Sequence, residues 1–192
     1  ESALTGRVSW QAWKQKNNVL HLGLSFSERD MAGNEFRINQ PMEVYFSDSI
    51  VEGSKLLADS QSLKGLELLW IQNSFSVMAE WQTAEVTDTD AEIYDYQGGY
   101  VQMAYQFNNG HRKYKNGELG ASTGEGWELT SRYSHFELLN ENKQFDIYSI
   151  GVNYAATKNL TFKADLLRSE QYESGAQIDS GLALTLRTQY KF

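Results

Sequence analysis

The sequence predicts an all-β fold: a transmembrane antiparallel up-and-down β-barrel with about ten strands in this chain. Three observations predict it. Apolar and polar residues alternate through long stretches, with no helical period of useful length between them. Several of these runs reach ~10 residues, the length a tilted strand needs to cross a bilayer, against ~5–6 in a typical soluble strand. Aromatics are 13% of the chain, with 11 Tyr and 5 Trp. Several of them sit near run ends on the apolar face, where the interfacial girdles of a membrane barrel belong. The 192 residues suit a single domain over 1–192.

The runs follow in order, separated by Gly, Asn, Asp and Ser clusters. The first, 4–13, sets Leu4, Val8, Trp10 and Ala12 against Thr5, Arg7, Ser9 and Gln11. The second, 19–29, sets Leu20, Leu22, Leu24 and Phe26 against His21, Gly23, Ser25 and Ser27. The third, 35–46, keeps parity through Phe36, Ile38, Met42, Val44 and Phe46, but Pro41 weakens it because Pro cannot donate to a ladder. The fourth, 65–72, turns Leu66, Leu68 and Trp70 outward. The fifth, 74–86, turns Phe75, Val77, Ala79 and Trp81 outward, with Ser76, Glu80 and Gln82 inward. The sixth, 96–107, has Val101, Met103, Tyr105 and Phe107 outward, with Gln102 and Gln106 inward.

The seventh, 126–137, sets Trp127, Leu129 and Tyr133 against Glu128, Thr130, Arg132 and Ser134. The eighth, 146–155, has Tyr148, Ile150, Val152 and Tyr154 outward. The ninth, 159–170, has Leu160, Phe162, Ala164 and Leu166 outward, with Lys163 and Asp165 inward. The tenth ends the chain with strict alternation: Leu182, Leu184, Leu186, Tyr190 and Phe192 on one face, Thr185, Arg187, Gln189 and Lys191 on the other. Such a strand suits lipid on one side and water on the other. A soluble sandwich strand also alternates. A terminal Phe closing the run, with Tyr190 two residues before it, resembles the signal by which bacterial outer-membrane barrels are recognised for assembly.

With that terminus on the periplasmic side, the connections at 156–158 and about 72–74 become short periplasmic turns. Those at 47–64, 87–95, 138–145 and 171–180 become longer extracellular loops, the asymmetry expected of such barrels. The connection at 108–124 falls on the periplasmic side and yet is long, as functional or disordered loops are.

Composition excludes several classes. The net charge of -8 argues against nucleic-acid binding. Without Cys there is no disulfide or thiol chemistry. No cluster has metal-ligand spacing, and no cofactor is implied. The 3 His are scattered, and Ser131 and His135 lie over ~10 Å apart along an extended strand, so no nucleophile and base converge. No secretion signal is visible ahead of the first run, as in a mature, trimmed or partial chain. A structural or partner-binding barrel and a soluble binding barrel remain open at this level; conductance and behaviour without detergent separate them.

The ordered blocks GRVSWQAW, VLHLGLSFSERD, GLELLWIQNSFSVMAEW, GGYVQMAYQF followed by HRKY, GWELTSRYS and SIGVNYAATKNLTFKADLLRSE resemble the phosphate-selective porins O and P. The resemblance covers essentially the whole chain and corresponds to the C-terminal portion of that barrel, roughly strands seven to sixteen. It implies a trimeric, sixteen-stranded, anion-selective channel of the Gram-negative outer membrane, with membrane lipid, small anions such as phosphate and the barrel assembly machinery as partners. It also implies that the turn at 108–124 folds into the lumen. That turn carries His111, Arg112, Lys113 and Lys115 against Glu118, a basic excess in an acidic chain. Arg112, Lys113 and Lys115 are therefore the first candidates for an anion constriction, by field focusing and by N–H donors that replace anion hydration. Arg132, Lys163 and Arg187 on the lumen wall are the second. The wall's inward bases (these three with Arg7, Arg37 and Lys191) nearly cancel its inward acids, Glu43, Glu67, Glu80, Glu128 and Asp165. Such a balance suits cross-strand pairs that stiffen a barrel.

Overall fold

The computed structural model describes residues 1–41 and 49–192, with side chains for all of these except 40, 41, 49 and 50. Its strands are β1 (Ser2–Gln15), β2 (Asn18–Phe36), β3 (Asn39–Pro41), β4 (Ser49–Glu52), β5 (Leu56–Gln72), β6 (Phe75–Asp88) and β7 (Ile93–Gln106), then β8 (Arg112–Lys115), β9 (Glu118–Ser122), β10 (Gly126–Leu138), β11 (Lys143–Ala155), β12 (Leu160–Glu173) and β13 (Ala176–Tyr190). One 3-10 turn, Leu139–Glu141, is the only helical element among the described residues. Nine strands form one sheet in the order β1-β2-β5-β6-β7-β10-β11-β12-β13, each antiparallel to its neighbour. The hairpins β3–β4 and β8–β9 stand apart from it. Among the described residues β1 pairs only with β2, and β13 only with β12.

Side-chain exposure decides which face meets lipid. On β13, Leu182, Leu184 and Leu186 are 73%, 68% and 76% exposed. Leu4, Val8, Trp10, Leu24, Ile150 and Leu166 are exposed in the same way. Their polar neighbours His21, Ser76, Gln106, Glu128 and Asn153 are buried on the opposite face. A water-soluble sheet has the reverse arrangement, so the continuous apolar face is a lipid-facing band. Ring pairs mark one edge of it: Trp127 with Tyr154 at 4.6 Å, Tyr105 with Phe107 at 5.2 Å, and Tyr190 with Phe192 at 5.2 Å. Tyr133 stacked on Tyr148 and Trp81 stacked on His135 mark the other. From Trp127 to His135 is about 27 Å along β10, or about 20 Å along the normal of a strand tilted ~40°, close to the apolar band of a membrane barrel.

Just beyond that second edge the outer face turns polar. Asp146 accepts from Tyr133 Oη (2.7 Å) and Gln144 Nε2 (2.7 Å), and its Oδ1 lies 2.8 Å from His135 Nδ1. A buried carboxylate is tolerable there because its oxygens are met by these polar partners.

Two sequence expectations are corrected by this architecture. Among the described residues the third run adds no strand of its own to the wall. Residues 35 and 36 finish β2, residues 39–41 form β3, and Met42, Glu43, Val44 and Phe46 lie outside the described residues. The described residues therefore supply nine strands to the sheet, and Arg37 leaves the wall to meet Glu52 (3.3 Å) and the Gly53 carbonyl (3.2 Å). The loops also shrink. Strands β5, β6, β12 and β13 run past the bilayer band, so the expected loop at 171–180 is a turn at Ser174 and Gly175, both at positive φ. Connections 89–92 and 139–142 are similarly short, which removes the expected length asymmetry between the two ends. The segments continue as strand because their alternation continues; only the outward residues change from apolar to polar.

The 139–142 turn is clipped to the start of β5. Glu141 accepts from Lys143 Nζ (2.7 Å) and the Ser54 amide (2.8 Å). Burial pushes the Glu141 carboxyl up, but the Lys143 and Ser54 donors outweigh it and hold the group below the ordinary carboxylate range.

Candidate anion path on the inner face

The long connection between β7 and β10 supplies the hairpin β8–β9. Its turn is Asn116–Gly117, at φ 51° and 90°, the Asn-Gly pair that a two-residue hairpin favours. Strand alternation then sorts its residues. Arg112 and Tyr114 point to the wall, whereas Lys113 and Lys115 take the other face and are exposed. Tyr114 and Leu119 pack on Val19, Leu69 and Ile71 of β2 and β5. The Tyr114 hydroxyl accepts from Gln11 Nε2 (2.9 Å) and hydrogen-bonds His21 Nδ1 (3.0 Å). At the tip, Gly117 has φ +90°, and a Cβ there would be strained and would crowd Arg7 Nη2 at 3.1 Å and the His21 ring at 3.2 Å. At the base, Thr123 and His111 hydrogen-bond through backbone and side chain. The hairpin thus starts beside β10 and reaches across the inner face to β1.

Its main polar attachment is Arg112. The guanidinium gives two hydrogen bonds of 2.8 Å to the two oxygens of Glu128 on β10. Glu128 also accepts from Asn153 Nδ2 (2.7 Å) and Gln106 Nε2 (3.1 Å). The carboxylate is thereby fully engaged and its charge offset by Arg112. A second inner-face pair, Arg7 with Glu67 at 2.5 Å, links β1 to β5 across β2.

The row that contains Glu128 continues across the wall as Asn153, Lys163 and Arg187, in register over β10 to β13. Lys163 and Arg187 are direct cross-strand partners, although like charges opposite one another are unfavourable. Neither has an ion-pair partner within 4.0 Å among the described residues. Lys163 feels the positive charges of Arg112 and Arg187 together with the negative charges of Glu128 and Asp165. Arg132 sits about 13 Å further along β10. Its guanidinium lies 3.8 Å over the Tyr100 ring, donates to Ser134 Oγ (2.9 Å) and leans toward Gln102.

The six candidate bases therefore divide into three groups. Arg112, Lys163 and Arg187 come together near one edge of the wall. Lys113 and Lys115 stand on the free face of the hairpin. Arg132 belongs to a separate aromatic environment. Sequence reasoning missed the seat of the hairpin, namely Gln11, His21, Leu69 and Ile71. A signal was present in GLELLWIQ, where apolar residues occupy both parities and so require an apolar partner on the inner side as well.

A wall with lipid on one face and a polar, hairpin-covered face on the other defines an outer-membrane β-barrel of the porin class. The chain matches the phosphate-selective porin O and P family over residues 1–192 and belongs to that family. Porin O of Pseudomonas aeruginosa is 22% identical over 225 residues, covering 93% of this chain and 50% of that protein. The chain thus spans about half the length of that curated relative. It is a Gram-negative outer-membrane protein of a channel-forming, non-enzymatic family.

Proposed function

We propose that this chain forms part of the wall of an anion-selective porin that passes phosphate or polyphosphate by diffusion. Its 192 residues are read as one domain, the C-terminal part of a larger barrel that assembles as a homotrimer. The observation that carries the reading is the in-register pair Lys163 and Arg187. Two like charges face one another with no ion-pair partner among the described residues, while of the two acids whose charge reaches Lys163, Glu128 is held by Arg112 and Asp165 accepts from Thr185. A site with that charge favours an anion between the two heads. Arg112 acts as a strut and contributes field, and Lys113 and Lys115 draw anions toward the hairpin. Arg132 is a further station along the wall. Binding at the half-buried Lys163 and exposed Arg187 heads is weak enough for release, which conduction requires. Tyr190 and Phe192 are read as the assembly signal.

The test is the chloride-to-potassium permeability ratio in planar bilayers. An anion about 4 Å from one charge gains about 1 kcal/mol even at the dielectric of water, or about fivefold in local concentration. Lys163→Met and Arg187→Met are each expected to lower the ratio by about that factor at 0.1 M salt, and by less at 1 M because of screening. An unchanged ratio in the double variant rejects the site. A second reading, a non-conducting structural or partner-binding barrel, is favoured by one observation: the hairpin covers the inner face of β1, β2 and β5. Absence of any single-channel current from correctly inserted protein would establish it instead.

A further inference from the structure

We propose that Asp165 makes the Lys163–Arg187 row selective for oxyanions that carry an acidic hydroxyl, such as hydrogen phosphate, over those that carry none, such as sulfate. The proposal rests on the anion-porin reading and adds a specificity-determining residue to its site. Asp165 is two residues from Lys163 on the same inner face of β12, one row along the wall, ~7 Å away. Its own row runs Thr130, Gly151, Asp165 and Thr185, in register over β10 to β13. Two rows thus lie side by side, with two positive heads in one and a carboxylate in the other.

The other described wall acids are taken up by the protein. Glu67 is held by Arg7, Glu80 accepts from the Tyr100 hydroxyl (2.8 Å), and Glu128 is filled by Arg112, Asn153 and Gln106. Asp165 accepts one long bond, from Thr185 Oγ1 (3.4 Å), and makes no ion pair within 4.0 Å among the described residues. A carboxylate has about four acceptor positions, so most of its capacity is open. Asp165 Oδ1 lies over Gly151, where any Cβ would collide with it. The glycine gives the carboxylate room to lie along the wall instead of against Lys163. An ionised carboxylate only accepts. A hydroxyl on the bound anion donates to it, and a bond to a charged acceptor is strong. An anion oxygen without hydrogen meets the same carboxylate as a like charge. Lys163 and Arg187 attract either anion, so Asp165 sets the difference between them.

The experiment compares inorganic phosphate, sulfate and fluorophosphate as blockers of the chloride current in planar bilayers at about pH 8, where each is mainly a dianion and only phosphate keeps a hydroxyl. Phosphate is expected to block at about tenfold lower concentration than either of the others, the worth of one hydrogen bond to a charged acceptor. Asp165→Asn keeps the shape and removes the charge. It is expected to strengthen block by sulfate and fluorophosphate and to bring the half-blocking concentrations within about threefold of one another. Asp165→Ala is expected to narrow them in the same way. Equal potency in the unaltered protein, or a tenfold preference that survives in either folded variant, overturns the proposal. Lys163→Met with Arg187→Met separates it from the reading beneath it. Block without preference, abolished by that double variant, keeps the anion site and rejects the role of Asp165. Titration calorimetry with the same solutes serves where no current appears: a phosphate preference that Asp165→Asn abolishes keeps the role of Asp165 and rejects conduction.

Discussion

Removing the Arg112 guanidinium by Arg112→Met leaves Glu128 with two amide donors but no compensating charge. The Arg112 and Glu128 side chains are only 17% and 7% exposed. Breaking a buried pair from one side costs about 3–5 kcal/mol when the remaining charge is dry. Glu128 keeps its bonds from Asn153 and Gln106, and the inner face is wet, so about 2 kcal/mol is the better figure here. The cost falls on the hairpin, because β10 is held by β7 and β11 irrespective of Arg112. At about 1.4 kcal/mol per factor of ten, the detached population of the hairpin rises about thirtyfold. Chymotrypsin reports it: Tyr114 is packed against β2 and β5 and becomes cleavable only when the hairpin lifts. Cleavage after Tyr114 should accelerate by that factor, in protein whose barrel stays folded. Arg112→Met with Glu128→Met together should recover part of the loss, because no charge is then stranded. A cleavage rate within about threefold of the parent's in the single variant would falsify the strut.

Other expectations follow from the same contacts. Tyr114→Phe removes the bonds to Gln11 and His21 and should cost the hairpin about 1–2 kcal/mol, read as faster hydrogen exchange over β8 and β9 with the wall strands unchanged. Ile150→Arg puts a charge midway across the lipid-facing band. It should lower unfolding stability in vesicles by about 2–4 kcal/mol. Glu141 has a depressed folded-state carboxyl pKa, so its contribution is present above the ordinary carboxylate range and is lost as pH falls through the lower, folded value. Acidification below about pH 4 should therefore loosen the clip between 139–142 and Ser54, seen as faster amide exchange at Ser54, and Glu141→Gln should show that looseness at neutral pH.

The wall was legible because strand alternation and membrane burial act on every residue alike. Leu20 to Phe26 and Trp127 to Tyr133 take the faces their parity assigns. Strand ends were less legible: outside the bilayer the outward side chains become polar, so Ser60, Ser62 and Ser180 read as loop although the ladder continues through them. The described part of the third run divides between the end of β2 and the short β3, because parity alone cannot tell a sheet strand from a short hairpin, and Pro41 marked the difference. For the site, the basic turn was visible as composition. Treating it as a loop hid the alternation that separates Arg112 from Lys113 and Lys115. The pairing of Lys163 with Arg187, and of Arg112 with Glu128, depends on register and on how far a hairpin reaches, neither of which is encoded in a single segment.

The most direct test of the account is the reversal potential of the protein in a planar bilayer under a KCl gradient, measured with and without added phosphate. The account predicts a potential of the sign set by chloride, with phosphate reducing the chloride current. A potential set by potassium, or a chloride current indifferent to phosphate, would contradict it while leaving the β-barrel wall in place.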